Sequence, residues 1–296
     1  MDHKISNRLT SLVSQRSSPL LSVEVFNENS QLDVQFLLIH GAMDRKSSMK
    51  RLALKLAPHK VIAYDRRGYD ESLLLHPLED IKELSPEEQV ADIWRLIKGR
   101  PTVIFGHSMG GTLALHFATE SPVDLVGLIT YESPLPAENW WPLWMAEPKE
   151  LDQPIEHDEA ARRSEEFMVH MLGKNRWMRL PEEFRRRRRN EGVTLVAELA
   201  FLASTKYLIN YGEITAPLFT LTGQHASERH LLAQRYLVEK VRNVRSAQIV
   251  GAHHGAHISN SWAIAQVCAA MAEISGYSSM IPHTSDVRSS CKGSTR

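Results

Sequence analysis

The chain alternates between two hydrophobic patterns. Short apolar, often β-branched runs occupy residues 20–26, 35–39, 60–64, 101–105, 125–131, 217–223 and 246–250. Runs of this length bounded by Gly, Pro, Asn or Ser predict strands, most of them buried on both faces. Between them, apolar positions recur at helical spacing over 47–57, 85–98, 111–118, 227–240 and 261–274. Ser85-Pro86-Glu87-Glu88 supplies an N-cap, a proline at the first helical position and an early carboxylate, and Gly99 closes that helix. Strand and helix in alternation predict a mostly parallel sheet with right-handed crossovers.

The rhythm breaks once. From Leu135 to Glu213 no strand pattern appears, only a tryptophan-rich stretch (Trp140, Trp141, Trp144) followed by helical segments rich in Glu and Arg. The expected organisation is therefore a polar N-terminal extension over 1–19 and a core over 20–134 and 214–275. A helical insertion would occupy 135–213, and a mobile tail 276–296. Ligands of open parallel sheets bind beyond the carboxyl ends of the strands, where such an insertion would roof the site.

Composition narrows the function classes. Lys+Arg 35 against Asp+Glu 35 gives a formal net charge of +0, so no global field recruits nucleic acid or a membrane. The 2 cysteines, Cys268 and Cys291, do not make a disulfide framework. No apolar run reaches the roughly 20 residues of a membrane helix, and residues 1–19 lack the apolar stretch of a secretory signal. A cytoplasmic protein is the expectation.

The candidate chemistry centres on Gly106-His107-Ser108-Met109-Gly110, a G-x-S-x-G run placed between a predicted strand and a predicted helix. That context is what a nucleophile elbow requires. Ser108 would sit at the tip of the turn, beside the free N–H groups of a helix N-terminus. A serine hydroxyl needs a base to remove its proton, and the base should be a histidine in the loop after the last strand. His253, His254 and His257 all lie there. The N–H of Met109, directly after the nucleophile, would be one oxyanion donor.

Four segments together resemble the α/β-hydrolase superfamily, in its capped esterase and lipase branch: Ile39-His40-Gly41-Ala42, Asp65-Arg66-Arg67-Gly68-Tyr69, Gly106-His107-Ser108-Met109-Gly110-Gly111 and Gly251-Ala252-His253-His254-Gly255-Ala256-His257. The resemblance spans about residues 20–274. It implies an α/β-hydrolase fold with a helical cap. It also implies His254 as the base, with His253 the alternative, His257 as a packing and hydrogen-bonding histidine, and Ala42 as the second oxyanion donor. His40 and the 65–68 turn read as structural. A serine nucleophile sets the chain apart from the dehalogenases and epoxide hydrolases of this fold, which use Asp.

The acid departs from the family pattern. The usual Asp, three residues after the glycine closing the penultimate strand, is here Ala226. Glu132, directly after the 125–131 strand, and Glu228, at a helix start, are the replacements to test, and a triad without a direct acid is the third possibility. Losing the acid costs about 10⁴ in turnover, so a non-catalytic binding protein is the alternative to an enzyme. The expected activity is hydrolysis of a small-molecule carboxylic ester with a small or medium, largely apolar acyl group, needing no cofactor and no metal. Thioester, lactone and carbon–carbon cleavage stay open. Trp140, Trp141 and Trp144 would line the acyl pocket or pack the cap. The five arginines Arg185–Arg189 turn round a whole helix, so a solvated face is expected rather than one anion or membrane patch.

Overall fold

The structure, a computed structural model, describes residues 21–136, 147–151, 153 and 155–279. Trp140, Trp141 and Trp144 lie outside the described residues, as do 1–20 and 280–296.

Seven strands form one sheet: β1 (Val23–Phe26), β2 (Gln35–Ile39), β3 (Val61–Tyr64), β4 (Thr102–His107), β5 (Leu125–Tyr131), β6 (Leu218–Gly223) and β7 (Val244–Ile249). Their order is β1-β3-β2-β4-β5-β6-β7. Only β1 runs antiparallel, on β3; every other pairing is parallel. The nucleophile strand β4 is central, and β5 separates it from β6.

Alternate residues of each central strand enter different cores, which is why these segments read as unbroken apolar runs. Leu37, Ile39, Ile104 and Leu128 pack with helices α3 (Pro86–Ile97), α4 (Met109–Thr119) and α9 (Glu228–Lys240) on one face. Phe36, Leu38, Phe105 and Ile129 pack on the other face with α1 (Lys46–Lys55) and α11 (Ser261–Ser279), preceded by the short α10 (Ala256–Ser259). The last helix runs to Ser279, beyond the Ile274 end that its apolar spacing predicts. A six-residue helix α2 (Asp70–Leu75), unmarked by the apolar pattern, follows the Asp65–Tyr69 turn.

Between β5 and β6 stand α5 (His157–Leu172), α6 (Lys174–Arg179), α7 (Glu182–Asn190) and α8 (Gly192–Ala203). Trp177, Met168 and Leu195 pack onto Met43 and Tyr69, joining this segment to the sheet's loops. Helix α8 approaches α5 closely at Gly192, where a Cβ would stand 2.2 Å from the Ala160 carbonyl oxygen. The arginine run divides by direction. Arg185, Arg186, Arg187 and Arg189 form ion pairs with Glu182 or Glu183 of their own helix. Arg188 turns inward, fully buried, to Met43 O at 2.9 Å and Glu191 at 2.5 Å. One member is therefore an internal anchor, and the others are largely neutralised by glutamates one or two helical turns away.

Candidate active site

Ser108 joins β4 to α4 with φ 52° and ψ −124°. A non-glycine residue at positive φ costs on the order of 1–3 kcal/mol, and such strain concentrates at functional turns. The turn is held from both sides. The Ser108 N–H donates to Tyr131 O at 2.9 Å, and Ser108 O accepts from Gly111 N at 2.9 Å. The flanking glycines are required by close packing. A Cβ on Gly106 would lie 2.5 Å from Gly111 Cα, and one on Gly110 would lie 2.4 Å from Ile39 O. Met109 opens α4, so its N–H belongs to the first turn, which has no intrahelical acceptor.

The carboxylate on the histidine loop is that of Glu132. Its Oε2 lies 2.7 Å from His254 Nδ1, and its Oε1 accepts from Gly223 N at 2.9 Å. Strand neighbourhood explains this. Tyr131 of β5 pairs with Leu221 of β6, so the ends of the two strands lie side by side. The glycine that would precede the usual Asp instead offers its N–H to the carboxylate from the adjacent strand. Glu132 itself stands at φ 48°, a second strained residue beside the site. Glu228 is exposed at the start of α9, and Ala226 donates its N–H to Gly223 O at 3.1 Å within the tight loop.

Burial raises the Glu132 carboxyl. The His254 hydrogen bond, the His254 ring and the Gly223 N–H outweigh it and hold the group below its ordinary value. Glu132 therefore stays ionised and keeps the proton of His254 on Nδ1, leaving Nε2 as the free lone pair.

His230, which the sequence reading did not single out, completes the arrangement. Its Nδ1 lies 3.0 Å from Ser227 Oγ and 3.4 Å from Glu132 Oε2, and its ring stacks on His254 at 5.0 Å and 12°. Burial, reinforced by His254, pushes it down to about 3, so it is neutral and adds no charge. His253 is not on the carboxylate: it is exposed, its ring stacks on His225, and its carbonyl accepts from Tyr131 OH at 2.8 Å.

Ser108, Met109, Ala42, Glu132 and His254 face one cavity of about 350 Å³. Its apolar wall includes Phe167 and Met171 of α5 and Leu199 and Leu202 of α8, and its polar wall includes Arg229, His225 and His253. Glu198 also reaches it, although buried. A lone carboxylate in the apolar run 192–203 is a signal that sequence alone offers, since such a charge must find a buried partner. His230 carries no comparable signal.

Sequence spacing shows no metal-ligand pattern, yet folding assembles two groups with suitable donors among the described residues: Glu132, His230 and His254, and Asp44, His107 and His257. In each, one histidine is hydrogen-bonded directly to the carboxylate. The first adjoins a serine at an elbow and faces a cavity, which is the geometry for activating a hydroxyl nucleophile.

A sequence model of the alpha/beta hydrolase family matches residues 36–266. Among solved structures, MenH from S. aureus is 16% identical with TM-score 0.63, covering 86% of this chain and 99% of that one. An esterase from Exiguobacterium antarcticum is 15% identical with TM-score 0.61, covering 86% and 95%. A thioesterase domain from the curacin biosynthetic pathway is 22% identical with TM-score 0.58, covering 84% and 94%. At these identities the likeness is one of fold, and with the family match over most of the sequence, the chain belongs to the alpha/beta hydrolase family.

Proposed function

We propose that the protein is a serine hydrolase that cleaves a carboxylic ester with a small or medium, largely apolar acyl group. The observation that carries this reading is the 2.7 Å contact of Glu132 Oε2 with His254 Nδ1, beside a serine in elbow geometry on the same cavity. His254 Nε2 removes the Ser108 proton as Oγ attacks the ester carbonyl. The tetrahedral oxyanion is taken by the N–H groups of Met109 and Ala42. Collapse expels the alcohol, which receives the proton from His254, and leaves an acyl group on Ser108. Water activated by the same histidine then releases the acid. Glu132 holds the tautomer throughout and stabilises the imidazolium.

The apolar wall of Phe167, Met171, Leu199 and Leu202 supports an apolar acyl group, and the cavity volume supports one of modest size. In this reading residues 135–213 are a cap, contributing α5 and α8 to the roof. A non-catalytic binding protein is motivated by an empty acid position, and Glu132 on His254 supports the enzyme reading over it. No single helix among the described residues is long and apolar enough to cross a membrane.

The test is labelling by a fluorophosphonate, followed by p-nitrophenyl esters of graded chain length. Labelling at Ser108 and turnover that peaks at short to medium acyl chains are expected. A folded protein that neither labels nor turns over any ester would refute the reading.

A further inference from the structure

Glu198 is buried against the catalytic cavity, yet its oxygens are engaged away from it. One is ion-paired with Arg66, and the other accepts from Tyr69 OH at 2.7 Å. Arg66 is fully buried as well, and the rest of its guanidinium is divided between the 40–41 backbone and Gln89. Its Nε donates to His40 O at 2.9 Å and its Nη2 to Gly41 O at 3.0 Å, while Gln89 Oε1 accepts from Nη1 at 2.7 Å. His40 adds a second donor to the same carbonyl. Arg66 N–H donates to His40 Nε2 at 3.0 Å, which leaves the ring proton on Nδ1, and Nδ1 lies 2.7 Å from Gly41 O. Burial, with Arg66 beside it, pushes His40 down to about 3, so this tautomer is the neutral one.

In a trans peptide the C=O and N–H point in opposite directions. With the Gly41 carbonyl gripped by Arg66 and His40, the Ala42 N–H of the same peptide is aimed the other way. Ala42 lines the cavity beside Ser108 and Met109. We infer that Glu198 is a positioning residue of the oxyanion site: from helix α8 of the inserted segment it fixes Arg66, and Arg66 with His40 fixes the peptide that presents the Ala42 N–H. The inference rests on the proposed serine-hydrolase reading. It adds that the inserted helices bear on the chemical step as well as on substrate fit, because α8 supplies the anion that holds a core arginine in place. Loss of one misaimed donor acts on the transition state, where the oxyanion exists, and spares the ground-state ester.

The experiment compares Glu198→Leu, Glu198→Gln and the double variant Glu198→Leu with Arg66→Met. The readouts are kcat and KM on the best p-nitrophenyl ester, and inhibition by a trifluoromethyl ketone that forms an oxyanion on Ser108. Glu198→Leu should lower kcat about 10- to 100-fold with KM within about twofold, and weaken the ketone in parallel. Glu198→Gln, which keeps acceptor and shape, should recover most of the loss. The double variant separates positioning from burial of an unpaired charge. It should regain thermal stability and remain slow. Recovery of kcat by the double variant overturns the inference, and so does a raised KM with unchanged kcat, which would make Glu198 a wall of the substrate pocket. If Glu198→Leu does not fold, Tyr69→Phe removes only one hydrogen bond to Glu198. It should show the same kcat and ketone losses on a two- to fivefold scale, and no loss in either would overturn the inference. Absence of Ser108-dependent turnover in the wild type is a separate result, and it sinks the hydrolase reading and this inference together.

Discussion

Two clusters in this molecule use the same parts. Each has one carboxylate and two histidines: Glu132 with His254 and His230, and Asp44 with His257 and His107. The carboxylate–imidazole contacts are 2.7 Å in the first and 3.1 Å in the second. What differs is which partner faces outward. In the first, the imidazole of His254 is 27% exposed and the carboxylate of Glu132 only 1%. In the second, the order is reversed, with His257 at 2% and Asp44 at 22%. The proposed base must be able to show its free nitrogen to a substrate, and of the two carboxylate-bound histidines His254 is the one with an exposed ring. The second cluster lies behind the first and supports it, since His107 Nε2 donates to His254 O at 2.9 Å. Residue type and hydrogen bonding are thus shared, and access separates the proposed catalytic pair from the structural one.

The largest effect should come from the nucleophile. Ser108→Ala is expected to remove at least about 10⁴ of the turnover and to leave the fold intact, by kcat and circular dichroism. His254→Ala should match it, and the double variant should be little worse, because the two act as a unit. His257→Ala should act mainly on the melting temperature. If it stopped turnover in a folded protein, the distinction between the clusters would collapse.

Next comes the pair of carboxylates. Glu132→Gln should cost about 10³–10⁴ in kcat with little loss of stability. Asp44→Asn should cost less than about tenfold in kcat and about 1–3 kcal/mol in stability, since it weakens hydrogen bonds to His257 and Ser48. Rates and urea midpoints on both variants decide this, and a reversed ranking would move catalysis to the Asp44 cluster.

A smaller, graded effect is expected on pH. His40 and His230 are each pushed down to about 3, and His107 well below its ordinary value, with burial the main cause in all three. An unfolded chain protonates these rings near pH 6.5, whereas the folded one leaves them neutral. The unfolded state therefore binds more protons between about pH 6.5 and 3, and stability falls as pH is lowered through that window. Each such ring contributes at most about 1.4 kcal/mol per pH unit. His230→Gln should flatten the acid limb of melting temperature against pH and lower kcat only a few-fold. An unchanged acid limb would show that His230 is protonated in the folded protein.

The smallest effects should come from residues that stand near the site in sequence but take no part in the Glu132–His254 contact. Glu228→Gln and His253→Ala should leave kcat within about threefold of wild type, because neither side chain adjoins the His254 Nδ1 contact. A large loss from Glu228→Gln would return the acid to α9.

Much of this was legible before any coordinates. Apolar runs buried on both faces have one simple solution, a parallel sheet between helices, and the runs at 35–39 and 125–131 coincide with β2 and β5. The Gly106–Gly110 run marked Ser108, because a strained strand-to-helix turn has a local signature in glycine and flanking pattern, whereas the loop of 251–257 offered three histidines and only the family resemblance singled out His254. Glu132 and Glu228 could be named as candidates and no more, since choosing between them requires knowing that β5 lies beside β6 and that Gly223 turns its N–H toward Glu132. His230 gave no sign, and Glu198 gave only the oddity of a charge in an apolar helix. Turns and strands are specified by neighbours along the chain. The partners of Glu132 and Glu198 lie 91 to 132 residues away, and such pairs are decided by the sheet order and the docking of α8, which only the tertiary structure contains.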